Sequence, residues 1–177
     1  NDINWSVSTF DIKNGQDIMN FDPARFMSEH LHSMQKYNIP EIGLLFAVPC
    51  TDYALSGAAW FAAKDNDGRT AQSQKLVQKT KEIIDWFEKT GCLKFYAIEN
   101  PMSRIHKLNP WMGSPLLKFN PCDFAGYDED PEKSRYNKKT WLWGNFNIPE
   151  KKYIEPLQKE FPGHLKLGGK SERTKEL

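Results

Sequence analysis

Two apolar runs, Ile42 to Val48 and Leu93 to Ile98, bracket one long amphipathic stretch, and each runs straight into a short polar motif, Pro49-Cys50 and Glu99-Asn100-Pro101. Unbroken apolar runs of this length read as strands buried on both faces, as in the middle of a parallel sheet. Between them Leu76, Thr80, Ile83, Ile84 and Phe87 recur at helical spacing until Gly91, which is a helix terminator. A strand-helix-strand crossover makes the two strands parallel neighbours or near neighbours, so both motifs open on one rim, where open α/β sheets bind ligands. Cys50 and Glu99 can therefore meet in one pocket.

The flanking segments are less regular. Trp5 to Phe10 alternates large and small side chains and reads as a short strand ending at Asp11. Asp22-Pro23 pairs an N-cap with a first-turn proline, and Met27, Leu31 and Met34 continue a helix to Asn38, before Pro40. Thr51 to Gly68 reads as a long loop with a Trp60-Phe61 pair. Beyond Pro101 the apolar pieces shorten, Leu116 to Phe119 and Thr140 to Trp143, as in an antiparallel or loop-rich annex. The chain reads as a single domain over 1–177: core strands in 1–101, annex in 102–165 and a polar tail in 166–177. Its start at Asn1 and polar end suggest a fragment.

Composition narrows the class. Lys and Arg number 24 against 23 Asp and Glu, a formal charge of +1, so any contact with a nucleic acid must be local. An aromatic content of 13% is that of a packed chain rather than a disordered one. Cys50, Cys92 and Cys122 are odd in number and widely spaced, which points to free thiols in a reducing, cytoplasmic setting. No apolar run reaches the roughly 18 residues of a membrane span. His30 and His32 point to different helix faces, and His106 and His164 are isolated, so no metal site is expected.

A cysteine at a strand terminus beside proline, with a carboxylate on a neighbouring strand end, is the preorganisation that covalent catalysis needs. Spacing alone leaves open the alternative that Cys50 is an inert buried residue capping its strand and Glu99 a surface acid capping a turn. A Cys50–His106 dyad is a further arrangement, but it leaves Glu99-Asn100-Pro101 without a role. Tyr53, Trp60 and Phe61, just past the cysteine, line a pocket or belong to the core.

The run Phe46-Ala47-Val48-Pro49-Cys50-Thr51, followed one helix later by Ala97-Ile98-Glu99-Asn100-Pro101, resembles the Pro-Cys and Glu-Asn motifs of cytosine-C5 DNA methyltransferases, particularly short phage-type versions. The resemblance implies a Rossmann-like, S-adenosylmethionine-dependent α/β fold with a mostly parallel sheet. It gives Cys50 the role of nucleophile at C6 of a flipped cytosine and Glu99 that of the acid near N3. Asn100, Pro101 and Thr51 would then lie by the substrate. Asp11, Asp17, Ile18 and Pro49 match cofactor-side positions, and Arg104, Lys138 and Lys139, with His106 and Lys107 nearby, are candidate DNA phosphate contacts. The segments Phe119-Asn120-Pro121-Cys122 and Lys138-Lys139-Thr140-Trp141 resemble later parts of the phage-type proteins.

The chain also departs from that pattern. No glycine-rich strand-turn segment precedes residue 43, Val48-Pro49 stands where a double proline is usual, and no arginine-rich segment follows Glu99-Asn100. A remnant that keeps the sheet but lacks the cofactor loop, acting as a DNA-binding or interaction protein, is the rival expectation. A third is an enzyme that uses the same cysteine addition to place a group other than methyl.

Overall fold

The computed structural model describes residues 6–31 and 41–157. Two short 3-10 turns, Ile12–Asn14 and Ile18–Asn20, precede helix α1, Pro23–Leu31. Strand β1 (Ile42–Ala47) follows, then a 3-10 segment at Leu55–Trp60, helix α2 (Phe61–Asn66) and the long helix α3 (Arg69–Lys89). Strand β2 (Leu93–Pro101), the short helix α4 (Ile105–Leu108), β3 (Leu117–Phe119) and β4 (Thr140–Gly144) complete the regular elements. The fold is mixed α/β, with one open four-stranded sheet in the order β1-β2-β4-β3.

The expected parallel pair is present: β1 runs alongside β2 with Ala47 opposite Glu99. The rest of the sheet corrects the sequence expectation of a mostly parallel sheet, because β4 is antiparallel to both β2 and β3. The short pieces read as an annex are thus joined to the core strands in one sheet. β2 also outlasts its apolar run. Thr140 to Trp143 give Ile98 to Pro101 a second hydrogen-bonding neighbour, so Glu99 and Asn100 lie within the strand rather than past its end. Residues 6–10 form no strand, and Trp5 and the expected helical segment past Leu31 lie outside the described residues. Thr51 to Gly68, expected as loop, contains the 3-10 segment and α2.

Side chains in register share a face of a sheet, and the two faces here differ. On one face Val48, Ile98, Trp143 and the flanking Tyr53 pack against Val77 and Ile84 of α3, with Ile105 and Met112 closing the cluster. Ile83 and Phe87 turn toward Met27 of α1 and Cys92 in a second cluster. Each fully buried aliphatic or aromatic side chain of this kind contributes about 1.5–3 kcal/mol. The opposite face carries Leu45, 77% exposed, Ala47 and the half-buried Glu99. β1 is therefore an edge strand covered on one face among the described residues, not a central strand covered on both.

Gly144 makes the tightest glycine approach among the described residues. Its φ is +153°, and a Cβ there would lie 2.0 Å from the Tyr96 carbonyl oxygen.

Candidate functional site

The strand directions decide what meets what. β1 and β2 end, and β4 begins, on the same rim: Pro101 is opposite Thr140, and the Met102 N–H donates to the Lys139 carbonyl at 3.1 Å. Pro49-Cys50, Glu99-Asn100-Pro101 and the exposed Lys138-Lys139 pair all lie along that edge. Antiparallel β4 brings the lysines there, which a parallel sheet would not have done.

Cys50 is exposed, so its sulfur is open to solvent and not sealed in the core. Its carbonyl accepts from the Tyr53 and Ala54 N–H groups at 2.9 and 2.8 Å, a tight turn just past the end of β1. Glu99 is on the open face between Ala47 and Leu142 in the ladder. Among the described residues no hydrogen bond or ion pair joins Cys50 to Glu99. Asn100 is fully buried on the helix-covered face, and its Nδ2 donates to the Val48 carbonyl at 2.9 Å, tying the end of β1 to β2 just before Pro49-Cys50. Its Oδ1 has no hydrogen-bond partner. Asn100 thus serves the strand pair, and Pro101 a ladder position opposite Thr140.

Thr51 is exposed, but its carbonyl accepts from Lys64 Nζ, and that ammonium is also 3.2 Å from Asp52 Oδ1. Asp52 is 8% exposed and its Oδ2 accepts from Ser73 Oγ at 2.5 Å. Burial alone would raise this carboxyl; the Ser73 hydrogen bond, the adjoining Lys64 ammonium and the charge of Arg69 outweigh it and hold it below the ordinary range. Arg104 closes the other side. Its Nε donates to the Asp52 carbonyl at 3.2 Å, its two terminal nitrogens fork onto Asp65 at 2.8 and 2.6 Å, and one of them reaches Thr70 Oγ1 at 3.1 Å. The guanidinium also lies 3.7 Å from the ring centre of Phe61. Hydrogen bonds from Arg104 hold Asp65 down to about 2.

Sequence reasoning placed Arg104 among the phosphate contacts. The fold instead turns it inward, onto the loop that carries Cys50. Lys64, Asp52, Asp65 and Ser73 were missed altogether, because their pairing spans 12 to 52 residues of chain and leaves no local pattern. Of the aromatics, Tyr53 is fully buried in the core, Phe61 supports Arg104, and Trp60 is 66% exposed.

The cofactor-side residues are placed differently. Asp11 and Asp17 are exposed, and each carboxylate caps its own 3-10 turn, accepting from Lys13 N at 2.8 Å and Met19 N at 2.9 Å. Ile18 packs against the α1–α3 cluster, and Pro49 is exposed at the end of β1. No strand leads into Asp11 among the described residues, and no glycine-rich turn stands there to receive an amino-acid group. As placed, these residues do not fit S-adenosylmethionine.

His106 lies over the aromatic pair, 5.9 Å from the ring centre of Trp141 and 5.6 Å from that of Trp143. Burial, with Lys107 and Lys118 nearby, lowers its pKa, and no hydrogen bond links it to Cys50. Among the described residues no cluster of three or more His, Cys, Asp or Glu is placed to hold a metal ion, and no helix is long and apolar enough to cross a membrane. A shallow cleft on the outer side of α3, between Met19 and Lys75, contains none of the candidate residues. Comparison with family models, curated proteins and solved structures gives no match to this chain.

Proposed function

We propose that this chain activates cytosine in DNA by covalent addition, the base-handling half of a cytosine-C5 methyltransferase. The observation that carries the reading is an exposed thiol just past the end of β1 and a half-buried carboxylate on its parallel neighbour β2, at the last rung of their ladder opposite Ala47, with exposed lysines on the same rim. The β1–α3–β2 crossover is read as one unit of a Rossmann-like sheet, and β3 and β4 as its antiparallel annex.

In this reading the base leaves its stack, at a cost of a few kcal/mol, and Lys138 and Lys139 hold neighbouring phosphates. The Cys50 thiolate forms a bond to C6. The C5–C6 π pair moves onto C5 and into the ring, and Glu99 in its acid form donates to N3 and offsets the developing charge. C5 is then nucleophilic and takes a proton from water; loss of the original C5 hydrogen to water, return of the N3 proton to Glu99 and expulsion of the thiolate restore cytosine and both groups. Methyl transfer from S-adenosylmethionine would need a cradle other than Asp11, Asp17, Ile18 and Pro49, and no step is routed through it.

The exchange itself is the test. An oligonucleotide tritiated at cytosine C5 is expected to release label to water in the presence of the chain alone. Cys50→Ala abolishes release, and Glu99→Gln lowers it about 10²–10⁴-fold. A folded chain that binds the oligonucleotide and releases nothing would favour the second reading, a non-catalytic DNA-binding or interaction protein, for which the lack of a glycine-rich segment before residue 43 speaks.

A further inference from the structure

We infer that Arg104 and Lys64 are positioning residues for Cys50, a pair of inward-turned cations that fix the loop behind the thiol, and that Arg104 is not a DNA contact. The inference rests on the reading of Cys50 as nucleophile.

Residues 51–54 hang from the end of β1; their own turn closes on the Cys50 carbonyl, and main-chain bonds tie them to the segment after β2. The Leu55 N–H donates to the Met102 carbonyl at 3.0 Å, and the Arg104 N–H donates to the Tyr53 carbonyl at 2.9 Å. The carbonyls of Thr51 and Asp52 have neither a strand nor a helix partner. Lys64 takes the first and Arg104 the second. Each cation is itself fixed from behind. Lys64 is 8% exposed and faces the Asp52 carboxylate, while the guanidinium of Arg104 is forked onto Asp65, bonded to Thr70 and backed by Phe61. A fork held at both terminal nitrogens has one orientation, which a lysine ammonium would not reproduce.

The side chain of Arg104 is 12% exposed, and each of its nitrogens has a protein partner, so little remains to offer a phosphate. What it controls is the direction of the turn at Cys50. Nucleophilic attack on a ring carbon tolerates little error, and a displacement of about 1 Å can cost about 100-fold in rate.

The experiment measures tritium release from the C5-labelled oligonucleotide at saturating and limiting concentration, with oligonucleotide affinity measured over a salt series. Arg104→Met is expected to lower the saturated rate about 10- to 100-fold, with affinity within twofold of the parent and an unchanged salt slope. Arg104→Lys recovers little of the rate. Asp65→Asn, which removes the partly exposed end of the fork, lowers the rate in the same sense and decides the matter should Arg104→Met fail to fold. A phosphate contact predicts the opposite: Arg104→Met would weaken binding and reduce the salt slope by about 1, and Asp65→Asn would free the cation and tighten binding. That result, or an unchanged rate in both variants, overturns the assignment. Cys50→Ala in parallel separates the two ideas, since release that survives it removes the nucleophile itself.

Discussion

Lys64→Met removes one charge from the loop network while keeping the length and packing of the side chain. At 3.2 Å and an effective dielectric of about 20, the gross attraction between Lys64 and Asp52 is about 5 kcal/mol. Desolvation of both groups opposes it, the Ser73 hydrogen bond to Asp52 survives the change, and each side chain of the pair is 10% exposed. The net cost of stranding the Asp52 carboxylate is therefore about 3 kcal/mol at neutral pH, at the lower end for a broken buried pair. Urea denaturation of the parent, Lys64→Met, Asp52→Asn and the double variant gives the coupling directly, expected at about 2 kcal/mol. The pH dependence carries the sharper sign. In the parent the Asp52 carboxyl is depressed, so its contribution is present above the unfolded value and is lost as pH falls through the folded one. Without Lys64 two of the causes that depress the carboxyl are gone, so less of that pH-dependent stability remains. The deficit of Lys64→Met is thus greatest near pH 7 and shrinks on acidification. A deficit under about 1 kcal/mol, or one that widens toward low pH, would show that the network does not hold the loop.

Thiol labelling should show one fast group and two slow ones, because Cys50 is exposed while Cys92 and Cys122 are 8% and 2% exposed; Cys50→Ser should remove the fast phase alone. Gly144→Ala should cost about 3 kcal/mol or more, read from the urea midpoint, since it adds a strained φ to a clash with the Tyr96 carbonyl. The carboxyls of Asp52 and Asp65 are both depressed, the latter to about 2, so stability present above the ordinary aspartate range falls as pH drops below about 4. Asp52→Asn or Asp65→Asn should flatten that acid limb, and an unchanged slope in both would count against the two ion pairs.

Local order decided what the sequence alone could establish. The apolar runs marked β1 and β2, the short apolar pieces at 116–119 and 140–143 marked where β3 and β4 fall, and the periodicity of Leu76, Thr80, Ile83, Ile84 and Phe87 marked α3 with its stop at Gly91. The Asp22-Pro23 signal marked the start of α1, where the Asp22 carboxylate accepts from Ala24 N at 2.9 Å. Because one crossover joins β1 to β2, the shared rim of Cys50 and Glu99 followed from the same patterns. Tertiary structure decided the rest. A strand does not state which neighbour it will take, so the antiparallel pairing of β4 with β2, and with it the arrival of Lys138 and Lys139 at the rim, was invisible along the chain. The inward turn of Arg104 was hidden for the same reason. A guanidinium goes to the carboxylate or the phosphate that folding brings within reach, and only closure of the loop against α2 and α3 set Asp65 in front of it.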